Sequence, residues 1–256
     1  MNFERHTFQH AGLTFSYLDS GVGDHTLIAL HAHLMEAATF APLAAALAPD
    51  WRVVALDQRG HGYTDHASSY TRADYLADLE ALFAYLHLPR AVLLGNSLGG
   101  VNAFQFAALH PEQVTALIIE DIGATVSDDI RFILDWAGTF PTREALAAKV
   151  GERFAPFIAD SFRHTRDGWR LAFEPAEMLA SQNQLIGNHW HDWLATTCPA
   201  ILVRGRQSRV TNPDEIEQMA QRRPNTTLAT LDGGHVLHFE DPFAFNATIR
   251  GFLDSL

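Results

Sequence analysis

The chain has 256 residues, of which 47% are hydrophobic and 19% charged, and its formal net charge is −12 at pH 7. This length and composition supply one large α/β domain with a buried core and exclude a disordered chain. The acidic balance argues against nucleic acid as a partner, because phosphate binding requires a basic surface.

The N-terminal part predicts a β-hairpin, with strands at 7–10 and 13–18 joined by a turn at Ala11 and Gly12. Short apolar runs then alternate with helical patterns, which indicates a doubly wound parallel sheet with helices on both faces. The apolar runs are 26–30, 53–56, 91–94, 116–119, 200–203 and 227–231.

Two helix starts are marked by capping signals. Thr71 and Asp74 have the spacing of a capping box, and apolar residues at helical spacing follow them. Asp241 followed by Pro242 pairs an N-cap with a proline at the first helical position, which predicts a terminal helix.

The segment 124–197 interrupts the alternation of strands and helices. It is rich in aromatic residues and contains no clear strand pattern, so we predict a helical insertion that rests on the sheet. We expect most of its rings to pack against the core and a minority to line a pocket, because ligand sites favour such junctions.

Several classes of site are excluded by what the sequence lacks. The single cysteine, Cys198, begins an apolar run and is expected to be a small buried hydrophobe in a protein of a reducing compartment. The histidines show no metal-ligand spacing, so we expect no metal and no cofactor. There is no apolar run of about 18 residues and no signal peptide, so we expect a cytoplasmic protein without a membrane span.

The strongest motif is G-N-S-L-G at 95–99, which directly follows one apolar run and directly precedes a helical pattern. A G-x-S-x-G sequence between a strand and a helix forms a sharp turn that projects its serine at the helix N-terminus. The glycines are needed because side chains would collide in that turn. We therefore predict that Ser97 is a nucleophile rather than a structural turn residue.

A serine hydroxyl needs a general base at neutral pH. His235 follows Gly233 and Gly234 in a loop after the last apolar run, where a histidine can lie over the carboxyl edge of the sheet. Other histidines compete for this role, among them His238, but His235 stands where the base is required. We predict that His235 is the base.

The serine motif, the late Gly-Gly-His sequence and D-Q-R-G-H-G at 57–62 together resemble the α/β-hydrolase fold superfamily over nearly the whole chain. The resemblance implies an eight-stranded, mostly parallel sheet, a helical cap inserted after the sixth strand and a Ser–acid–His triad. It also implies a purely structural turn at 57–62. We accordingly predict a core domain of residues 1–123 and 196–256, with a cap of residues 124–195.

The triad acid is where the sequence departs from this family, whose members usually carry G-x-x-D after the seventh strand. Ser208 stands at that aspartate's place. Zearalenone lactonases and some haloalkane dehalogenases carry the acid at the end of the sixth strand, and by this resemblance we favour Asp121. Glu120, Asp214 and the absence of any acid are the alternatives, and Asp121 could instead end a strand or cap a helix.

The resemblance also implies two backbone N–H donors for an oxyanion. One is expected at Leu98, directly after the nucleophile. The other is expected at His33, in the loop where relatives generally have His-Gly and this chain has Ala32. The residues that we expect to line the substrate pocket are His31, Trp136, Trp190 and Val236.

These predictions favour a serine hydrolase, monomeric or homodimeric, that cleaves a small apolar or aromatic carboxylic ester or lactone through an acyl-enzyme. Carbon–carbon bond hydrolysis of ring-cleavage products is an alternative, suggested by Asn96 before the nucleophile. Those enzymes typically have a tryptophan soon after the base, and this chain has Val236-Leu237. Perhydrolysis by the same triad and a weakly catalytic small-ligand receptor, suggested by Ser208, also remain open.

Overall fold

The computed structural model describes residues 3–256; Met1 and Asn2, which the predicted core domain includes, lie outside this range. The strands are β1 (Glu4–His10), β2 (Leu13–Asp19), β3 (His25–Leu30), β4 (Trp51–Asp57), β5 (Ala91–Asn96), β6 (Val114–Glu120), β7 (Thr125–Val126), β8 (Phe162–Thr165), β9 (Gly168–Leu171), β10 (Gly187–Asn188), β11 (Ala200–Gly205) and β12 (Thr226–Leu231). The α-helices are α1 (Ala41–Leu47), α2 (Arg72–Tyr85), α3 (Leu98–Leu109), α4 (Arg143–Val150), α5 (Pro175–Leu185), α6 (Trp190–Leu194), α7 (Pro213–Arg222), α8 (Leu237–Glu240) and α9 (Pro242–Leu253), and short 3₁₀ helices occupy Ala37–Phe40, Arg131–Trp136 and Ala159–Ser161.

Eight of these strands form the central sheet, in the order β1-β2-β4-β3-β5-β6-β11-β12. β2 pairs antiparallel with β1 and with β4, and the other neighbouring strands run parallel. The predicted hairpin, the six apolar strands and the mostly parallel eight-stranded sheet are thereby confirmed.

Helices cover both faces of the sheet, which explains why its central strands are apolar throughout. Successive side chains of a strand point to opposite faces. Leu27 and Ala29 of β3 therefore belong to the core under α1 and α9, whereas Ile28 and Leu30 belong to the core under α2 and α3. None of the helices within residues 3–256 is both long and apolar enough to cross a membrane.

The two predicted capping signals form as expected. The Thr71 hydroxyl accepts a hydrogen bond from the Asp74 backbone N–H at 3.2 Å, and the Asp74 carboxylate accepts one from the Thr71 N–H at 2.8 Å. Asp241 accepts a hydrogen bond from the Ala244 N–H at 3.0 Å, with Pro242 at the start of α9. These bonds satisfy N–H groups that have no partner inside their helices.

The segment between β6 and β11 leaves the sheet, and it contains two short strand pairs that the prediction of a helical insertion did not include. β8 and β9 form a hairpin, and β7 pairs with β10. Gly168 begins β9 with φ at 127°, a conformation that glycine adopts readily. Phe162 and Leu171 are partners across the hairpin, and both are buried. The insertion is thus a mixture of helices and short strands.

The inserted segment is joined to the loop that follows β3. The Ser161 hydroxyl donates to the Leu34 carbonyl oxygen at 3.0 Å, and the Ser181 hydroxyl lies 2.8 Å from His33 Nε2. Because the loop after β3 lies at the carboxyl edge of the parallel strands, these contacts hold the segment over that edge. Ligands bind at this edge in open α/β sheets.

Candidate active site

A cavity of about 650 Å³ lies between the inserted segment and the carboxyl edge of the sheet. Phe132, Phe154 and Phe157 of the inserted segment give it an aromatic wall. Ser97 and His235 line the same cavity from the core side. The two side chains that the sequence predicts as nucleophile and base therefore open into one space, and the insertion covers it.

The turn that carries Ser97 has the sharp geometry expected of its motif. Ser97 lies between β5 and α3 with φ at 54° and ψ at −116°, in a region that non-glycine residues rarely adopt. A Cβ atom at Gly95 would lie 2.1 Å from the Gly99 carbonyl oxygen, and one at Gly99 would lie 2.1 Å from the Leu30 carbonyl oxygen. Only glycine allows this approach, which leaves Ser97 exposed to the cavity at the helix N-terminus.

His235 lies in the loop between β12 and α8. Its Nδ1 is 2.8 Å from Asp121 Oδ2, which leaves Nε2 for another partner. The loop is held by the Glu240 carboxylate, which accepts hydrogen bonds from the backbone N–H groups of Gly234 at 2.7 Å and Val236 at 3.1 Å. The imidazole is thus oriented by a carboxylate and the backbone around it is fixed.

Asp121 directly follows β6, with φ at 46° and almost no exposure to solvent. Besides His235, three donors bond its carboxylate: the Gly205 N–H at 3.0 Å, the Thr211 hydroxyl at 3.1 Å and the Ser208 hydroxyl. Ser208, which stands at the place of the family's usual acid, therefore supports a carboxylate that comes from the neighbouring strand. Bonds of this kind to a charged oxygen are strong and directional.

The carboxylates of the other two acids that the sequence offers lie away from His235. The Glu120 carboxylate contacts His238, with its Oε2 2.7 Å from Nδ1 of that residue. Asp214 is exposed in the first turn of α7. Of the three candidates, Asp121 is the one whose carboxylate bonds His235.

The charges near His235 favour its protonated form. Burial alone would lower the pKa of His235, but the hydrogen bond and the charge of Asp121 act against it. The carboxylates of Glu120 and Asp128 add to this effect, and the pKa of His235 is raised above the ordinary histidine value. Burial and the Asp121 charge in turn raise the pKa of Asp128, which lines the cavity, while the His235 charge opposes this shift.

Leu98 and His33, the two predicted oxyanion donors, lie at the start of α3 and in the loop after β3. Leu98 is the first residue of α3, and the first N–H groups of a helix have no partner inside it. His33 lines the cavity beside Ala32. Burial, with the neighbouring His61 and Arg72, lowers the pKa of the His33 ring well below its usual value, so this ring is neutral at pH 7.

Of the predicted pocket residues, Val236 lines the cavity and His31 does not. His31 is fully buried, and its Nε2 accepts a hydrogen bond from the Gln58 backbone N–H at 3.0 Å. Burial lowers the pKa of His31 to about 4. The ring therefore joins the loop after β3 to the turn at 57–62 instead of facing a substrate.

The prediction that Trp136 and Trp190 line the pocket was also wrong. Trp136 packs behind the aromatic wall, with its ring centroid 5.3 Å from that of Phe154. Trp190 lies outside, where its indole N–H donates to Glu215 at 3.2 Å and the Arg222 guanidinium lies over its ring. The residues of the inserted segment that line the cavity include phenylalanines, and these belong to no sequence motif that would identify them as pocket residues.

Two residues that support the candidate triad had little or no signal in the sequence. Ser208 is visible in the sequence only as a departure from the family pattern, and Glu240 has no signal at all.

Cys198 is half-buried, and its sulfur lies 3.3 Å from Arg223 Nη2, which fits a packing role. Across residues 3–256, no group of three or more His, Cys, Asp or Glu side chains could hold a metal ion.

Known proteins share both the sequence pattern and this architecture. The pattern of the Alpha/beta hydrolase family matches residues 27–248. A 2-(acetamidomethylene)succinate hydrolase from Mesorhizobium japonicum is 25% identical and covers 95% of this chain and 92% of its own length. 3-Oxoadipate enol-lactonase 1 from Acinetobacter baylyi is 24% identical, covering 84% and 83%. A crystal structure of E-2-(acetamidomethylene)succinate hydrolase superposes with a TM-score of 0.88 at 23% identity, covering 99% of this chain and all of that one.

The chain therefore belongs to the α/β hydrolase family. Hydrolysis is the class of chemistry that this membership supports, and the relatives named above carry out more than one kind of it.

Proposed function

We propose that this protein is a serine hydrolase that cleaves a carboxylic ester or a lactone of a small, partly apolar molecule. Ser97 is the nucleophile, His235 the general base and Asp121 the acid that orients it. The observation that carries this proposal is the 2.8 Å hydrogen bond between Asp121 and His235 beside the cavity that Ser97 also lines. Nucleophile and acid precede the base in the chain order seen in this fold.

The proposed reaction has two halves. Ser97 Oγ attacks the carbonyl carbon while its proton passes to His235 Nε2, and His235 then gives that proton to the leaving alkoxide as the C–O bond breaks. Water, deprotonated by His235, cleaves the acyl-enzyme and restores Ser97. The N–H groups of Leu98 and His33 stabilise the oxyanion in both halves. Asp121 keeps Nδ1 protonated, so that Nε2 is the basic nitrogen.

The aromatic part of the cavity wall supports the proposed substrate class. Phe132, Phe154 and Phe157 present apolar surface, which suits an aliphatic or aromatic portion of the substrate. We propose that residues 124–195 act as the cap that encloses this portion, and that the partner of the protein is a small molecule. The name of one relative, an enol-lactonase, makes lactones the first class to test.

Two alternatives lose their main support. The receptor hypothesis depended on a missing acid, and Asp121 supplies a carboxylate to His235. Carbon–carbon bond hydrolysis was suggested by Asn96, whose amide donates to the backbone oxygens of Glu120 at 3.1 Å and His235 at 3.0 Å. That residue thus has a structural explanation which is independent of the bond to be cleaved.

The proposal is tested with matched panels of 4-nitrophenyl esters, aliphatic and aromatic lactones, and vinylogous ring-cleavage diketones. We expect turnover in the ester or lactone panel, with aromatic or longer acyl groups favoured, and no turnover by Ser97→Ala. Turnover of the diketones alone would refute the proposed bond specificity.

The acid limb of the pH profile of kcat/KM is expected to lie at a higher pH than the pKa of an ordinary histidine would give. His235 must be neutral to accept the Ser97 proton, and its pKa lies above the ordinary value of about 6.5 because Asp121, Glu120 and Asp128 favour its charged form. kcat/KM should therefore fall as the pH drops through a value above 6.5. The measurement is kcat/KM from pH 5 to 9 on one ester, and a midpoint below about 6 would contradict this account.

In a variant that lacks the Asp121 carboxylate, an aspartate at position 208 is expected to restore part of the activity. The Ser208 hydroxyl and His235 Nδ1 both bond Asp121 Oδ2. A carboxylate at position 208 would therefore lie close to the imidazole. We expect S208D to raise kcat of the D121N variant at least about 10-fold, because it restores a carboxylate partner for His235. In the wild-type background, S208D should lower activity through like-charge repulsion. Equal activities of D121N and D121N/S208D would argue against this arrangement.

A further inference from the structure

A second carboxylate–imidazole pair, Glu120 and His238, lies behind the candidate active site. Glu120 Oε2 is 2.7 Å from His238 Nδ1, and Glu120 Oε1 accepts a hydrogen bond from the His238 backbone N–H at 2.9 Å. His238 Nε2 lies 2.8 Å from the Thr39 hydroxyl. Glu120 is fully buried and His238 is 2% exposed. Moving a carboxylate and an imidazole out of water costs folding free energy. The presence of this buried, fully hydrogen-bonded pair therefore requires an explanation.

The pair lies on the face of the sheet away from the cavity. Side chains alternate along β6, and Ile118, two residues before Glu120, belongs to the core under α1 and α9. The His238 ring packs against Phe40 and Phe245, with centroid distances of 4.7 and 5.9 Å. Neither member of the pair lines the cavity, so neither touches a substrate there.

The position of the pair connects it to the candidate triad. Two consecutive acids at the end of β6 each bond one histidine of the segment that follows β12: Asp121 bonds His235 in the loop, and Glu120 bonds His238 in α8. Asn96, next to Ser97, bonds the backbone oxygens of both Glu120 and His235. These hydrogen bonds connect the segment after β12 to β5 and β6.

We propose that Glu120 and His238 are positioning residues, which hold the loop after β12 so that His235 faces both Asp121 and Ser97. This inference rests on the function proposed above. Small displacements of a catalytic group are costly, since an error of about 1 Å can reduce a rate 100-fold. The Glu120 carboxylate has a second effect, because its charge is one of the causes that raise the pKa of His235.

The test measures how fast a fluorophosphonate phosphonylates Ser97, which needs no knowledge of the substrate. The serine oxygen displaces fluoride from phosphorus, and His235 takes the proton. For Glu120→Gln we expect a rate constant about 10- to 100-fold below wild type. Because a negative charge near His235 is lost, the acid limb of the rate should also move to lower pH. A wild-type rate, or a slower rate with an unmoved acid limb, overturns the proposal.

Asp19→Asn is the matched control, since it neutralises another buried carboxylate. Asp19 pairs with Arg52 on β2 and β4, which lie toward the other edge of the sheet from β6. This substitution should lower Tm and leave the rate and its pH dependence unchanged. If Glu120→Gln does not fold, two variants at 238 decide: His238→Asn keeps a side-chain N–H donor for Glu120, and His238→Leu fills the space without a side-chain donor. Phosphonylation faster in the Asn variant supports the proposal, and equal rates overturn it. A wild-type protein that does not react at all refutes the proposed function instead.

Discussion

Replacing Asp121 with asparagine is expected to lower kcat by about 10⁴-fold while the fold stays intact. The asparagine side chain is the same size, and its oxygen can still accept hydrogen bonds from the Gly205 N–H and the Thr211 hydroxyl. Its amide nitrogen cannot accept the proton on His235 Nδ1, so the imidazole loses both its preferred tautomer and the charge that stabilises the imidazolium. The measurement is kcat for the best ester or lactone, with Tm as the check on folding.

Asp214→Asn is the matched control for this prediction, because Asp214 is the acid on the neighbouring segment that the structure leaves exposed. It should retain wild-type kcat. Glu120→Gln should fall between the two, since it acts on the position of His235 and leaves the Asp121 contact in place. An Asp121→Asn variant within 10-fold of wild type would remove Asp121 from the triad.

Replacing Gly99 with alanine is expected to lower the free energy of unfolding by more than about 4 kcal/mol. The new Cβ would lie 2.1 Å from the Leu30 carbonyl oxygen and 2.7 Å from the Leu30 Cβ. Both belong to the central strand β3, so α3 has to move away from the sheet. This displacement would also move Leu98, whose N–H is a proposed oxyanion donor. Chemical denaturation monitored by circular dichroism measures the loss.

Gly251→Ala separates this steric effect from the general effect of replacing a glycine. Gly251 lies in α9, and beyond its chain neighbours and the backbone of its own helix no atom lies within 4 Å of the position of its Cβ. Alanine has a higher helix propensity there, so we expect a gain of about 0.5 to 1 kcal/mol. The opposite signs of the two substitutions check the packing of α3 on β3, and a Gly99→Ala protein of wild-type stability would contradict it.

The parts of the fold and site that the sequence predicts well are those determined by local patterns. Apolar runs between helical patterns identify the parallel strands, and the G-x-S-x-G turn identifies Ser97, because each is a property of a few neighbouring residues. The pairing of Asp121 with His235 joins residues that are far apart in the chain. Sequence alone therefore left Glu120 and Asp214 as alternatives until the contacts were known.

The inserted segment was predicted least well, for physical reasons. β8 and β9 have four residues each, too few to establish an alternating pattern, and charged residues interrupt both. Aromatic residues in this segment also serve two purposes. Phe154 reaches the cavity while Trp136 packs behind it, and that choice depends on the path of the backbone.

The central claim is that Ser97 is an activated nucleophile, and the intact mass of the protein after exposure to a fluorophosphonate tests it most directly. We expect a single adduct on the wild-type chain and none on Ser97→Ala. The substitution removes one oxygen atom that faces the cavity, so the fold should persist and the comparison should report on the hydroxyl alone. An unmodified wild-type chain, or an equal adduct on Ser97→Ala, would contradict the account.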